Sequence, residues 1–170
     1  FTLQVMQSIL AGQGGRLFLE LRDKESLAYT VAPLRMEGVD AGYFGAYIGC
    51  SPEKGSKALS MMKIEFKKLM NDLVPKAELE RSQRYLIGRH DIDLQKTSSV
   101  ASAILFDAIY GLDAEEPFRF AERIGVVTAE MVRELAQKIF SYPEVAISVG
   151  PESPFEKQRS NRSTQPELAR

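Results

Sequence analysis

The most informative segment of this chain is Gly14-Gly15-Arg16-Leu17-Phe18-Leu19-Glu20-Leu21-Arg22-Asp23-Lys24-Glu25-Ser26-Leu27-Ala28-Tyr29-Thr30-Val31. In its first half, Leu17 and Leu21 follow a pair of glycines at the spacing of a short amphipathic helix. In its second half, Leu27, Tyr29 and Val31 occupy every second position, which is the spacing of a strand. The sequence therefore predicts a helix that runs directly into a strand.

Arg22 and Tyr29 are the candidate functional residues of this junction. Arg22 leaves the last turn of the predicted helix and Tyr29 lies early in the strand, so a tight connection would bring both side chains to one surface. A guanidinium has five donors in one plane, and a phenol is a donor on a rigid stem, so both suit peptide carbonyl oxygens or an oxyanion. The structural alternative makes Arg22 a surface residue favoured by the helix dipole and Tyr29 a half-buried strand aromatic.

The segment from Gly14 to Tyr29 resembles the C-terminal half of pitrilysin/insulysin-type zinc metallopeptidases. That family includes the mitochondrial processing peptidase and the core proteins of a respiratory complex. The resemblance is specific because it fixes the arginine, the tyrosine, the aliphatic positions around them and the spacing between them. It continues through the strand pair, the long helical region and the last predicted strand, to about residue 150.

The resemblance implies a role for the two candidate residues. In the family, the equivalent Arg and Tyr project from the C-terminal half towards a zinc site that the N-terminal half carries. Carried over, Arg22 contacts the substrate backbone, and Tyr29 contacts the oxyanion or the substrate. The resemblance also implies zinc as the cofactor of the full-length enzyme, with ligands outside this chain. The implied partners are a peptide or protein substrate and the zinc-binding half-domain or subunit.

The remaining patterns predict an α+β fold, with a small, mostly antiparallel sheet covered by a layer of helices. A hairpin is predicted from the strands 27–37 and 41–50, with Pro33 at a bulge or an unpaired edge. Helices are predicted over 2–11, 52–72, 75–95, 97–110, 117–123 and 128–140, and a last strand over 145–150. In the family, strands precede the first helix, so the N-terminal strands are expected to be missing from this sequence. The open sheet edge this would leave makes a homodimer possible.

No residue of this chain is expected to bind a metal. The only histidine is His90, whereas a catalytic zinc needs about three protein ligands. The inverted H-x-x-E-H signature of the family does not occur in the sequence. We expect His90 to be an ordinary helix residue and Cys50, the only cysteine, to be a buried free thiol. The fragment alone is therefore predicted to be inactive.

Composition limits the remaining function classes. The chain has 170 residues, 44% hydrophobic and 26% charged, and a net charge of −1, which gives no electrostatic case for nucleic acid or an anionic membrane. No apolar run approaches the roughly 20 residues that span a bilayer, and no signal peptide is recognisable, so we expect a soluble protein of unknown compartment. Residues 1–150 are predicted to form one domain and 151–170 a polar, mobile tail.

Three functions from different classes remain open. The first is the substrate-clamping C-terminal domain of a zinc endopeptidase. The second is a non-catalytic scaffold or partner subunit of the same fold, as the core proteins are. The third is a binding domain with no link to proteolysis. The presence of both Arg22 and Tyr29 favours the first over the second, because a scaffold has no need for that pair.

Overall fold

The computed structural model describes residues 1–38 and 40–151. The α-helices are α1 (Thr2–Leu10), α2 (Gly55–Asn71), α3 (Lys76–Asp93), α4 (Thr97–Ile109), α5 (Phe120–Gly125) and α6 (Ala129–Phe140). The strands are β1 (Thr30–Met36) and β2 (Tyr43–Gly49). A π-helix spans Phe18–Lys24, and short 3₁₀ helices span Pro52–Lys54 and Glu116–Arg119. Helices and a small antiparallel sheet confirm the predicted α+β fold.

The two strands form the predicted antiparallel hairpin. Their register runs from Thr30 opposite Gly49 to Met36 opposite Tyr43. Both strands are shorter than predicted. Strand β1 begins later than predicted because the N–H of Leu27 donates to the Leu21 carbonyl rather than to a neighbouring strand. Alternate residues of the hairpin pack against the helical core, and the other face is largely exposed. The sheet therefore has one helix-covered face, as expected from strand alternation.

The hydrophobic core lies around α1. Its inner residues are completely or almost completely buried, and they belong to α1, the stretch around the π-helix, α2, α5 and α6: Val5, Met6, Ile9, Leu10, Leu17, Leu21, Leu69, Ile124, Val132 and Ala136. Helix α1 contacts α3, α6 and β1. The segment 14–31 thus contributes Leu17 and Leu21 to the centre of the core, which fixes the π-helix against the rest of the domain.

Several helix ends follow the sequence signals. Gly12 and Gly111, which follow α1 and α4, have φ near +72°, a conformation in which glycine pays no Cβ penalty. Thr128 precedes α6, and its Oγ1 accepts a hydrogen bond from the N–H of Met131 at 3.3 Å, so Thr128 is the N-cap of the helix predicted over 128–140. Helix α3 begins directly after Pro75, also as predicted.

Other helix predictions need correction. The helix predicted from Pro52 starts as a 3₁₀ turn, which α2 follows. Ile92, in the last turn of α3, is largely exposed. The helix predicted from Thr97 forms as α4, but none of its residues is buried. Its apolar positions therefore do not contribute to the core described above.

The predicted last strand, 145–150, is wrong for the described part of the chain. These residues form no strand, and the side chains of Val145, Ile147 and Val149 are almost fully exposed. The physical reason is that a strand needs a hydrogen-bonded neighbour, and the described sheet consists of β1 and β2 paired with each other. A β-branched run favours a strand but is not sufficient to form one.

The predicted tail falls almost entirely outside the described residues, which end at Pro151. Within the described ranges, no helix is both long enough and apolar enough to cross a membrane.

Candidate functional site

Arg22 is carried by the π-helix rather than by the short α-helix that the sequence predicts. The helix begins in α-helical geometry at Arg16 and Leu17 and widens over Phe18–Lys24. Leu21 is completely buried, whereas Arg22 is exposed next to it. A π-helical turn is uncommon and occurs frequently at functional sites. Burial of one side of this turn therefore fixes the direction in which Arg22 leaves the domain.

A tight turn connects Arg22 to Tyr29. Ser26 has φ of +49°, and among the described non-glycine residues it alone has a positive φ. The N–H of Ser26 donates to the Arg22 carbonyl at 3.1 Å, and the N–H of Leu27 donates to the Leu21 carbonyl at 2.8 Å. The N–H of Tyr29 then donates to the Gly49 carbonyl at 3.0 Å, at the end of β2. Backbone hydrogen bonds thus hold both ends of the connection.

The side chains of Arg22 and Tyr29 emerge together on one exposed face, as the spacing predicted. The guanidinium carbon of Arg22 lies 5.7 Å from the centroid of the Tyr29 ring and 4.8 Å from that of Phe18. Both distances are within the range of a cation–π contact, which holds the guanidinium beside the rings. The side chain of Tyr29 is 85% exposed. Among the hydrogen bonds and ion pairs of the described residues, none uses the Arg22 guanidinium or the Tyr29 hydroxyl.

Two lysines contact the turn between Arg22 and Tyr29: Lys54, which directly precedes α2, and Lys57, in the first turn of α2. The Nζ of Lys54 donates to the Ser26 carbonyl at 2.9 Å, and the Nζ of Lys57 lies 2.5 Å from the Glu25 carboxylate. Each contact is exposed, so each contributes little to stability alone. Together they tie consecutive residues of the turn to a helix that is anchored in the core. The turn between Arg22 and Tyr29 is therefore supported on both sides.

An open cavity of about 510 Å³ lies beside Tyr29. Its lining includes Tyr29, Tyr47, Gly49, Cys50 and Lys54. The backbone of the turn forms part of the same wall, from Ser26 to Ala28. Hydroxyl, ammonium and backbone groups therefore surround a space next to the exposed phenol, and this space can receive part of a peptide.

An ion pair anchors the beginning of the π-helix segment. Arg16 donates two hydrogen bonds to Glu78 at 2.9 and 2.7 Å, and each side chain is only 15% exposed. The pKa of Arg16 is raised above its ordinary value, chiefly because its guanidinium donates to Glu78. The buried Glu65 carboxylate, which pairs with Lys68 at 2.6 Å, favours the charged form of Arg16 from further away. This bidentate pair joins the start of the segment to α3.

Breaking that pair should destabilise the domain. Glu78→Gln leaves the Arg16 guanidinium mostly buried without its carboxylate, so we expect the free energy of unfolding at neutral pH to fall by about 2 kcal/mol. Urea unfolding followed by circular dichroism measures this. The matched control is Glu80→Gln on the same helix, whose 3.8 Å contact with Lys76 is exposed and should contribute less than about 0.5 kcal/mol. Equal losses in the two variants would contradict the anchoring role.

The described residues do not fit a zinc ion. They contain no group of three or more His, Cys, Asp or Glu side chains placed to hold a metal. The Nε2 of His90 donates to the Pro117 carbonyl at 2.6 Å, and its ring stacks on Phe120 at 4.1 Å, so this histidine serves packing. Cys50 is a free thiol, but it is partly rather than fully buried, which corrects its expected position.

Sequence reasoning did not identify the residues that support the pair. Phe18 could have been found, since it lies four positions before Arg22 and such residues face each other on a helix. Lys54 and Glu78 carry no local signal, because their partners are distant in sequence and only the folded chain brings them together.

Comparison with known proteins agrees with this fold. The family described as "Peptidase M16 inactive domain" matches residues 1–86. An uncharacterized zinc protease of Streptomyces coelicolor is 26% identical over 140 residues, covering 82% of this chain and 30% of that protein. An uncharacterized zinc protease of Rickettsia bellii is 26% identical over 141 residues, covering 82% of this chain and 34% of that protein. The crystal structure of a peptidase M16 inactive domain from Pseudomonas fluorescens superimposes on this chain with a TM-score of 0.74 at 21% identity. The superposition covers 81% of this chain and 33% of that one.

The match extends over half of the sequence and places the chain in a class of non-catalytic metallopeptidase domains. The chain belongs to the peptidase M16 inactive-domain family. This confirms the resemblance to the C-terminal half of such a metallopeptidase. The chain spans about a third of the length of the two zinc proteases that it matches.

Proposed function

We propose that this chain is the substrate-clamping C-terminal domain of a zinc-dependent endopeptidase. In this proposal, Arg22 and Tyr29 reach a zinc site that another domain or subunit holds. The observation that carries the proposal is the exposed pair itself, whose guanidinium and ring lie 5.7 Å apart beside an open cavity. Membership of an inactive-domain family, with zinc proteases among the relatives, supports the pairing with a catalytic half.

Tyr29 and Arg22 have separate tasks in the proposed mechanism. When a peptide carbonyl is attacked, negative charge develops on its oxygen, and the Tyr29 hydroxyl donates a hydrogen bond to that oxyanion. The planar Arg22 guanidinium donates to carbonyl oxygens further along the extended peptide, holding its backbone in position. Zinc supplies the nucleophilic water and Lewis acidity in such peptidases, and its ligands belong to the other half.

The fixed backbone on both sides of the pair supports this assignment. The π-helix, the Ser26 turn and the hydrogen bond from Tyr29 to Gly49 fix the backbone on each side of the pair. Donors held in place before the reaction need no reorganisation during it, which is the main source of their catalytic effect. The scaffold alternative makes no use of such preorganisation.

Reconstitution tests the proposal. The purified chain alone should contain no stoichiometric zinc by elemental analysis and should not cleave a fluorogenic peptide, because its described donors do not form a zinc site. Mixing with the separately produced zinc-binding half should restore cleavage. The matched control is the Arg22→Ala, Tyr29→Phe double variant, which should bind that half but fail to restore activity. One tightly held zinc in the chain alone, or full restoration by the double variant, would contradict the proposal.

A further inference from the structure

Helix α4 carries a large apolar surface that faces away from the described core. None of its residues is buried, and Leu105, Phe106 and Ile109 are 57–59% exposed. Tyr110, Leu112 and Phe118, which follow α4 in the chain, are also about half exposed, and the 3₁₀ helix that contains Phe118 contacts α4. Such a surface on a folded domain indicates an interface.

The exposed stripe of α4 is graded in size from one end to the other. Ser98, Ser102, Leu105 and Ile109 follow one another at intervals of four, three and four residues, and all are exposed. At about 100° per residue they fall within roughly 60° of the helix circumference, the spacing of a helix–helix seam. The N-terminal half of this seam is small and the C-terminal half is large.

We propose that α4 is a self-association surface on which a second copy of this chain docks its own α4 in antiparallel orientation. A twofold axis between positions 102 and 105 places Ser98 against the partner's Ile109 and Ser102 against the partner's Leu105. Every layer then pairs a small side chain with a large one, which is the arrangement that fills an interface without voids. A parallel pairing would instead oppose large with large and small with small.

The charge and the size of the surface favour a second copy as the occupant. The single charged side chain of α4 is Asp107, which is partly buried and lies away from the seam, so no charge selects a basic or acidic partner. Interfaces between identical subunits are the more apolar class. On the seam itself Leu105 and Ile109 are 59% and 58% exposed, and a small side chain of the partner would cover each of them, so the dimer buries four large side chains in all.

Sedimentation equilibrium of the intact protein over a wide concentration series tests the proposal. We expect a dimer, and we expect Leu105→Glu to raise its dissociation constant at least tenfold, since each dimer buries this leucine twice. The matched control is Ile64→Glu on α2, a similarly exposed isoleucine of another helix, which should leave the dimer unchanged. Circular dichroism should show equal folding of all variants, because both side chains are exposed.

A residue swap identifies the occupant. Leu105→Ser alone should weaken the dimer, whereas the double variant Ser102→Leu, Leu105→Ser recreates the small–large pair across the twofold axis and should restore it. A wild-type protein that stays monomeric, a dimer that is insensitive to Leu105→Glu, or a failure of the swap to restore association would each overturn the proposal. The first result would indicate that another domain covers α4, and the last would indicate a dimer with a different helix pairing. Cleavage assays are not needed, so the result is independent of the proposed peptidase role.

Discussion

Tyr29→Phe in the intact enzyme should lower kcat by about a hundredfold with little change in KM. The substitution keeps the ring beside Arg22 and removes only the hydroxyl, which is the donor proposed to meet the developing oxyanion. Removal of one such donor typically costs 10²–10³ in kcat. Because the hydrogen bond strengthens only when charge develops, ground-state binding should be preserved.

Tyr47→Phe is the matched control for this prediction. Tyr47 is also exposed, at 53%, and lines the same cavity, but its ring makes no contact of the kind that Tyr29 makes with Arg22. Steady-state kinetics on one peptide substrate should show kcat of this variant close to wild type. Similar losses in both variants would indicate a general effect on the cavity, and an unchanged kcat in Tyr29→Phe would remove the proposed donor role.

Arg22→Ala should raise KM at least as clearly as it lowers kcat. The proposed hydrogen bonds to substrate carbonyls exist in both the bound substrate and the transition state, so their loss weakens binding in both. Loss of hydrogen bonds from a charged donor corresponds to an increase in KM of about tenfold or more. Arg22→Lys should recover only part of this, because an ammonium cannot reproduce the planar fork of donors.

The control for Arg22 lies on the same π-helix. Lys24→Met removes a neighbouring positive charge whose Nζ pairs with Glu20 at 2.7 Å on an exposed surface. Its KM should stay within about twofold of wild type, since exposed pairs of this kind contribute little. An equal rise in KM in both variants would show that net charge near the site attracts the substrate, and the specific role of Arg22 would then be wrong.

The juxtaposition of Arg22 and Tyr29 could be predicted from sequence because it is local. The change of hydrophobic period between Leu21 and Leu27 forces a turn, and a short turn brings the flanking side chains together. The antiparallel hairpin could also be predicted because it is local: adjacent strands joined by a short connection pair with each other. The proximity of the pair is an observation, whereas its catalytic role stays a prediction.

The π-helical geometry and the Arg16–Glu78 ion pair could not be predicted in this way. The positions of Leu17 and Leu21 fit an α-helix and a π-helix alike, and packing of the core decides between them. Arg16 and Glu78 meet only because α1 and α3 pack side by side. Such pairs depend on tertiary structure, which a single sequence does not specify.

The exposed apolar segments show a different limit. The β-branched run at 145–150 predicts a strand, yet its valine and isoleucine side chains are almost fully exposed, and no residue of α4 is buried either. Hydrophobic periodicity shows that a side of an element is suited to burial, but it does not show against which surface. Helix α4 forms as predicted, but its apolar side chains are not buried by the described residues.

Inhibition by a phosphinic peptide probes the proposed donation from Tyr29, because the tetrahedral phosphorus group of this inhibitor resembles the intermediate while the rest of the peptide resembles substrate. If Tyr29 donates to the oxyanion, Tyr29→Phe should raise the Ki of this inhibitor by about a hundredfold, in parallel with the loss of kcat/KM. The Kd of an uncleaved substrate peptide of the same sequence should stay within about twofold of wild type. An unchanged Ki in Tyr29→Phe, or an equal rise in Tyr47→Phe, would contradict the account.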